Sequence, residues 1–268
     1  MNRFHHALQK SGGSPLLGAG LYSYNPIFLE IAAGLGFHAV WFDMEHCPIT
    51  FAQAQDLCRI ASGLGMLSMI RIPNEKRENV LRAAECGPDL IDIPMAGSPE
   101  MLQEFIRNAR FRPEGRRGCF PASRAVGYGL EENVAAQQRV NRELALMAQI
   151  ETAEAVERAD ELCAVPGIDI LIGPADLSAS LGVPYETGHP KVVEAAKKII
   201  AAVRKHGKRV AVASSAGDLR FWIAEGVDLL LCASDITCMK SGAQAALRQA
   251  QAALAAHKCG DKGNLPLP

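Results

Sequence analysis

Short apolar runs recur along the chain, and each is followed by a stretch in which apolar positions return every three or four residues. Eight runs predict strands: residues 16–21 (LLGAGL), 38–42 (HAVWF), 67–71 (LSMIR), 90–94 (LIDIP), 144–150 (LALMAQI), 168–172 (IDILI), 209–213 (RVAVA) and 229–232 (LLLC). Helical periodicity is expected over 26–34, 51–63, 76–86, 99–109, 132–141, 153–164, 191–206 and 218–225, with a last helix over 239–256. Most of the strand runs are apolar at consecutive positions, the pattern of strands buried on both faces. Strand–helix alternation implies right-handed crossovers and a parallel sheet. Eight such units favour a closed (β/α)8 TIM barrel, a single domain over residues 1–258 that includes the C-terminal helix, with 259–268 as a tail. An open doubly wound sheet is the alternative. The glycine-rich dinucleotide fingerprint that would favour it is absent after the first strand.

Composition narrows the partners. With 268 residues, 49% of them hydrophobic, the chain is long enough to bury a large core. A formal net charge of -1 gives no electrostatic case for nucleic acid or an anionic membrane surface. Residues 1–13 lack the apolar core of a signal peptide, and no later segment reads as a membrane span. The eight cysteines include no C-x-x-C pair, and several sit inside apolar runs. They read as reduced core thiols of a cytoplasmic enzyme rather than as a disulfide framework.

In such a barrel, chemistry sits at the C-terminal ends of the strands. Unusual polar residues fall there. The second strand ends in Asp43-Met44-Glu45-His46, the third in Arg71, the fifth in Gln149-Ile150-Glu151, and the sixth is followed by Gly173-Pro174-Ala175-Asp176. Singly, each has a plain structural role: Glu151 as an acid in a first helical turn, Asp176 as an N-cap, Arg71 as a surface charge, His46 as a satisfied loop histidine. A barrel brings them to one mouth. Two carboxylates there, Glu151 and Asp176, suit a hard divalent cation such as Mg²⁺ or Mn²⁺. The backbone from Gly173 lets a ligand approach closely, and the amides entering the next helix suit a carboxylate.

These motifs resemble the class II pyruvate aldolases of the 2,4-dihydroxyhept-2-ene-1,7-dioate (4-hydroxy-2-oxoheptanedioate) aldolase / citrate lyase-like family. The resemblance runs from about residue 5 to about residue 250 and takes in RFRPEGRRG (Arg110–Gly118), Ser123-Arg124-Ala125 and His189-Pro190. It implies a metal-dependent barrel that cleaves or forms 4-hydroxy-2-oxo acids from pyruvate and an aldehyde through a metal-bound enolate. It implies that Glu151 and Asp176 ligate the metal (Mg²⁺, Mn²⁺ or Co²⁺). Gln149, the backbone of Gly173, Pro174 and Ala175, and Arg124 would meet the substrate. Arg71 would lie against the keto oxygen, and His46 with Asp43 would move the proton, with Glu85 as the histidine's partner. It also implies a homo-oligomer, a hexamer built as a trimer of dimers.

The chain departs from the family pattern at three places. Glu85 stands where an aspartate is common, Phe120 where glycine is common, and Asp92 where an aliphatic residue is commoner. The bulk of Phe120 is expected to restrict the acceptor to short aldehydes. No lysine sits at a comparable strand end, since Lys208 precedes the seventh strand, and this argues against a Schiff-base aldolase. A related enolate condensation or CoA-ester cleavage of the citrate-forming or malyl-CoA type would use the same logic, although no basic platform for a nucleotide is evident. A non-catalytic barrel is the remaining alternative.

Overall fold

The computed structural model describes residues 1–214 and 216–258. The expected tail, 259–268, lies outside the described residues. All eight apolar runs form strands, each bound within two residues of expectation: β1 (Leu16–Leu21), β2 (Ala39–Asp43), β3 (Leu67–Arg71), β4 (Leu90–Ile93), β5 (Ala145–Ile150), β6 (Asp169–Ile172), β7 (Val210–Ala213) and β8 (Leu229–Ser234). They hydrogen-bond in sequence order, and β8 returns to β1 to close the barrel. Every pairing is parallel.

The helices are α1 (Arg3–Lys10), α2 (Pro26–Gly34), α3 (Phe51–Gly63), α4 (Arg77–Glu85), α5 (Pro99–Ala109), α6 (Asn133–Glu143), α7 (Ala153–Glu157), α8 (Ala159–Ala164), α9 (Pro174–Ser180), α10 (Pro190–Lys205), α11 (Leu219–Ala224) and α12 (Asp235–Lys258). Their starts follow capping chemistry. Thr50 and Gln53 form a reciprocal capping box at α3, and Ser98 caps α5 with Pro99 in its first turn. The helix expected over 153–164 is interrupted at Arg158, whose backbone (φ -99°, ψ 11°) separates α7 from α8.

Alternation along the strands sorts residues into two cores. One face (Val40, Phe42, Ile70, Ile91, Ile93, Ile150, Ile170, Ile172) packs under the helices. The other fills the barrel with Trp41, Met69, Leu90, Met147, Leu171, Leu229 and Leu231. The inward positions turn polar at the C-terminal ends, where Asp43 pairs in register with Arg71 and Arg71 with Asp92.

The opposite end is closed by α1, an element the sequence pattern did not predict. Its Phe4 and Leu8 join the barrel-filling core. Arg3 and His5 reach Asp89 and Asp169, each at 2.7 Å, where β4 and β6 begin. At the other extreme, α12 runs along almost no part of its own barrel. Ile236, Leu247 and Leu254 are 46%, 58% and 61% exposed, so these apolar side chains do not pack on their own chain.

Candidate active site

The polar ends of the strands surround a cavity of about 830 Å³ lined by Tyr22, Trp41, Asp43, His46, Arg71, Gln149, the Gly173–Asp176 turn and the start of α12. Arg71 dominates its floor. Its Nε donates to Asp43 Oδ1 at 3.0 Å and its Nη2 to Asp43 Oδ2 at 2.6 Å. Its Nη1 stands 3.0 Å from Glu45 Oε2. The guanidinium lies over the Trp41 ring at 4.5 Å, within cation–π range. Burial alone would raise the Asp43 carboxyl, but the hydrogen bonds and charge of Arg71 outweigh it and hold Asp43 below the usual carboxylate range. Asp43 also accepts the backbone N–H groups of Glu45 and His46, which fixes the turn after β2. That turn leaves His46 exposed at the mouth, with Nε2 3.6 Å from Glu45 Oε2.

On the facing wall, Glu151 is buried behind Gly173. Its Oε1 accepts the N–H of Met95 at 2.7 Å, and its Oε2 accepts a short hydrogen bond from Gln149 Nε2. Met95 presents that N–H from a left-handed conformation (φ 53°), costly for a non-glycine residue and found where a site demands it. Burial pushes the Glu151 carboxyl up to about 7, and the charge of Asp176 pushes the same way. Glu151 and Gln149 lie against Gly173, Asp176 stands in the first turn of the helix that follows it, and the side-chain oxygen of Gln149 is buried there without a donor. That donor set is all oxygen and suits a hard divalent cation. Among the described residues no set of three or more His, Cys, Asp or Glu side chains stands ready to hold a metal. The remaining coordination positions would fall to oxygens from outside the chain.

Below this level lies Asp92, fully buried, with neither oxygen hydrogen-bonded. Burial raises its carboxyl well above the usual range, against the pull of Arg71.

Asp43, His46, Arg71, Gln149, Gly173, Pro174, Ala175, Glu151 and Asp176 thus come together, as expected from the sequence. Two expected residues do not join them. Arg124 donates to the carbonyls of Cys86 and Gly87, at the end of α4, and to that of Cys58 in α3. Its guanidinium is spent on backbone oxygens that end a helix, not on a ligand in the mouth. Glu85 accepts from Arg117 Nε and Nη2 and lines a separate cavity with Phe51, Cys119 and Phe120. Within the chain it therefore does not partner His46. Phe120, 61% exposed in that second cavity, does not narrow the mouth of its own barrel. Sequence reasoning missed Glu45, although it lies inside the Asp43–His46 motif. It also missed Trp41 and Met95, for which an apolar run gives no signal.

A family model described as HpcH/HpaI aldolase/citrate lyase matches residues 19–238. The chain belongs to the HpcH/HpaI aldolase/citrate lyase family. The chain is 32% identical over 240 residues to the 2-keto-3-deoxy-L-rhamnonate aldolase of Escherichia coli K12, covering 86% of this chain and 88% of that one. An HpcH/HpaI aldolase from Desulfitobacterium hafniense superposes with a TM-score of 0.84 at 30% identity, over 91% of this chain and 95% of that one. A family protein from Burkholderia cenocepacia gives 0.86 at 26% identity, over 94% and 100%. For this HpcH/HpaI member the expectation of a class II pyruvate aldolase, a carbon–carbon lyase, holds.

Proposed function

We propose that the chain cleaves and forms 4-hydroxy-2-oxo acids at the barrel mouth, with pyruvate as one partner and an aldehyde as the other. The observation that carries this reading is that two carboxylates, Glu151 and Asp176, flank the Gly173 turn, and that Asp176 lines one cavity with a buried, ring-stacked Arg71. Glu151 and Asp176 would hold a divalent cation, Mg²⁺, Mn²⁺ or Co²⁺. When bound, that cation withdraws charge from the carboxylate and keto oxygens of pyruvate as a Lewis acid.

The remaining work falls to the chain. The Gly173–Ala175 backbone lets the pyruvate carboxylate approach, and the N–H groups of Ala175 and Asp176 open the first turn of α9, where helical N–H groups have no acceptor within the helix. Gln149 orients Glu151. Breaking the C3–C4 bond sends negative charge onto the keto oxygen, and Arg71, already fixed by Asp43 and Glu45, meets that charge with the N–H bonds it has left. His46 takes the proton of the 4-hydroxyl during cleavage and returns it during addition. Asp43 holds both His46, through its backbone, and Arg71. The E. coli relative, which acts on 2-keto-3-deoxy-L-rhamnonate, supports a sugar-acid type of 2-oxo acid as substrate.

The exposed apolar side chains of α12 support a homo-oligomer, a hexamer by the family pattern. No described helix is long and apolar enough to cross a membrane. The seven described cysteines are free thiols, which suits the cytoplasm.

The test is exchange of the pyruvate methyl protons with D₂O, with and without chelator, followed by turnover with an aldehyde panel. Exchange that needs an added divalent cation is expected. Exchange undiminished in exhaustively chelated protein, or none with any divalent cation, would sink the reading.

A further inference from the structure

Three inward positions at one level of the barrel carry ionisable side chains. Asp43, Arg71 and Asp92 sit side by side on β2, β3 and β4, in register. Asp43 and Arg71 have roles in the proposed reaction, and Asp92 has none. Asp92 is 0% exposed, and both of its oxygens are buried without a hydrogen-bond donor. A second group nearby has the complementary defect. The indole Nε1 of Trp41, 3% exposed, is buried without an acceptor. The two lie close enough inside the barrel for the indole to pull the Asp92 carboxyl down, against the larger upward push of burial, although neither makes a direct hydrogen bond. An orphan donor and an orphan acceptor side by side in a core are each costly alone and compatible together. A small rotation or one buried water closes the contact.

What the pair supports is visible above it. The face of the same indole carries the Arg71 guanidinium, with Cζ 4.5 Å from the ring centroid. We propose that Asp92 and Trp41 are positioning residues for Arg71. The Asp92 carboxyl holds the indole edge, the indole plane holds the guanidinium, and the N–H bonds of Arg71 not taken by Asp43 and Glu45 are aimed into the cavity. The proposal rests on the aldolase reading only insofar as Arg71 serves the reaction. The contact itself is read without turnover.

The experiment uses the full chain with Asp92→Leu, Asp92→Asn and Trp41→Phe. Asp92→Leu removes the acceptor while keeping the branched shape, Asp92→Asn keeps one, and Trp41→Phe keeps a ring face but loses the N–H. The chain has two tryptophans, so Trp222→Phe provides a background in which Trp41 alone emits. In that background Asp92→Leu shifts the Trp41 emission, and Asp92→Asn leaves it near that of the parent. In turnover, Asp92→Leu and Trp41→Phe each lower kcat about tenfold with little change in KM for pyruvate, about 1.4 kcal/mol at the transition state. The double variant falls no further than either single one, and Asp92→Asn recovers most of the rate. Asp92→Leu melts at or above the parent temperature, because an apolar side chain replaces a buried carboxyl whose desolvation cost one indole N–H offsets only in part. A purely structural Asp92 would instead lose melting temperature and rate together.

The proposal is overturned if Asp92→Asn is as impaired as Asp92→Leu, if the two single losses multiply in the double variant, or if Asp92→Leu leaves Trp41 emission unchanged. Should the parent protein fail to exchange or turn over pyruvate, the aldolase reading falls and the emission comparison alone decides the contact.

Discussion

Gly173 stands where any side chain would strike Glu151: a Cβ at that position would lie 2.6 Å from Glu151 Oε2 and 2.6 Å from Gln149 Nε2. Its φ of -101° is open to any residue, so the constraint is space and not backbone conformation. We expect Gly173→Ala to displace the Glu151 carboxylate and weaken divalent-cation binding at least tenfold. Titration calorimetry with Mn²⁺ measures this, and affinity equal to the parent would remove Gly173 from the site.

Glu151 links the site to pH. Its folded value of about 7 lies above the ordinary 4.5, so the folded chain retains a proton that the unfolded chain has lost. The contribution of Glu151 to apo-protein stability is therefore fully present below about 4.5 and is lost as pH rises through about 7, by up to about 3 kcal/mol. Glu151→Gln should flatten this fall in denaturant titrations of the apo protein between pH 5 and pH 8. Divalent-cation affinity should rise over the same window in the parent, because cation and proton compete for one carboxylate. An apo stability equal at both pH values would contradict the assignment.

Arg71→Lys removes a planar donor whose two contacts to Asp43 an ammonium cannot reproduce. We expect kcat to fall by about 2–4 kcal/mol of transition-state stabilisation, roughly 30- to 1000-fold, with a smaller change in KM. Steady-state kinetics at saturating pyruvate decide this, and an unchanged kcat would make Arg71 structural.

For assembly, light scattering at micromolar concentration should give a multiple of the 28.7 kDa chain mass. Leu247→Arg with Leu254→Arg should lower that mass without unfolding the barrel, since both side chains are exposed on their own chain. A monomeric mass for the parent protein would refute the oligomer.

Most of the barrel was legible because burial on both faces of a parallel strand leaves apolar runs that need no long-range information. The mouth was legible for a related reason. Asp43, Arg71, Gln149 and Glu151 each interrupt or end an apolar run at its C-terminal edge, where a core residue has no cause to be charged or polar. Residues in loops and surface helices were harder to read. Nothing in the spacing of Arg124 or Glu85 states whether the side chain turns toward the mouth or toward a helix end. Both found closer partners, backbone carbonyls in one case and Arg117 in the other. Asp92 stood out as odd at its position, but the indole that gives it meaning lies on a different strand, and only closure of the sheet brings the two together. Helix α1 escaped notice because its two core residues, Phe4 and Leu8, form too short a stripe to signal a helix.

That same helix sets the order of traffic. With Phe4 and Leu8 sealing one end and a packed core filling the barrel above them, the cavity formed by the described residues opens only at the C-terminal mouth. In the proposed reaction, pyruvate held against Arg71 and the Gly173 turn would occupy the bottom of that cavity, and the aldehyde would enter above it. A molecule at the bottom cannot leave past one lying over it. Cleavage must then release the aldehyde first and pyruvate second, and synthesis must load them in the reverse order.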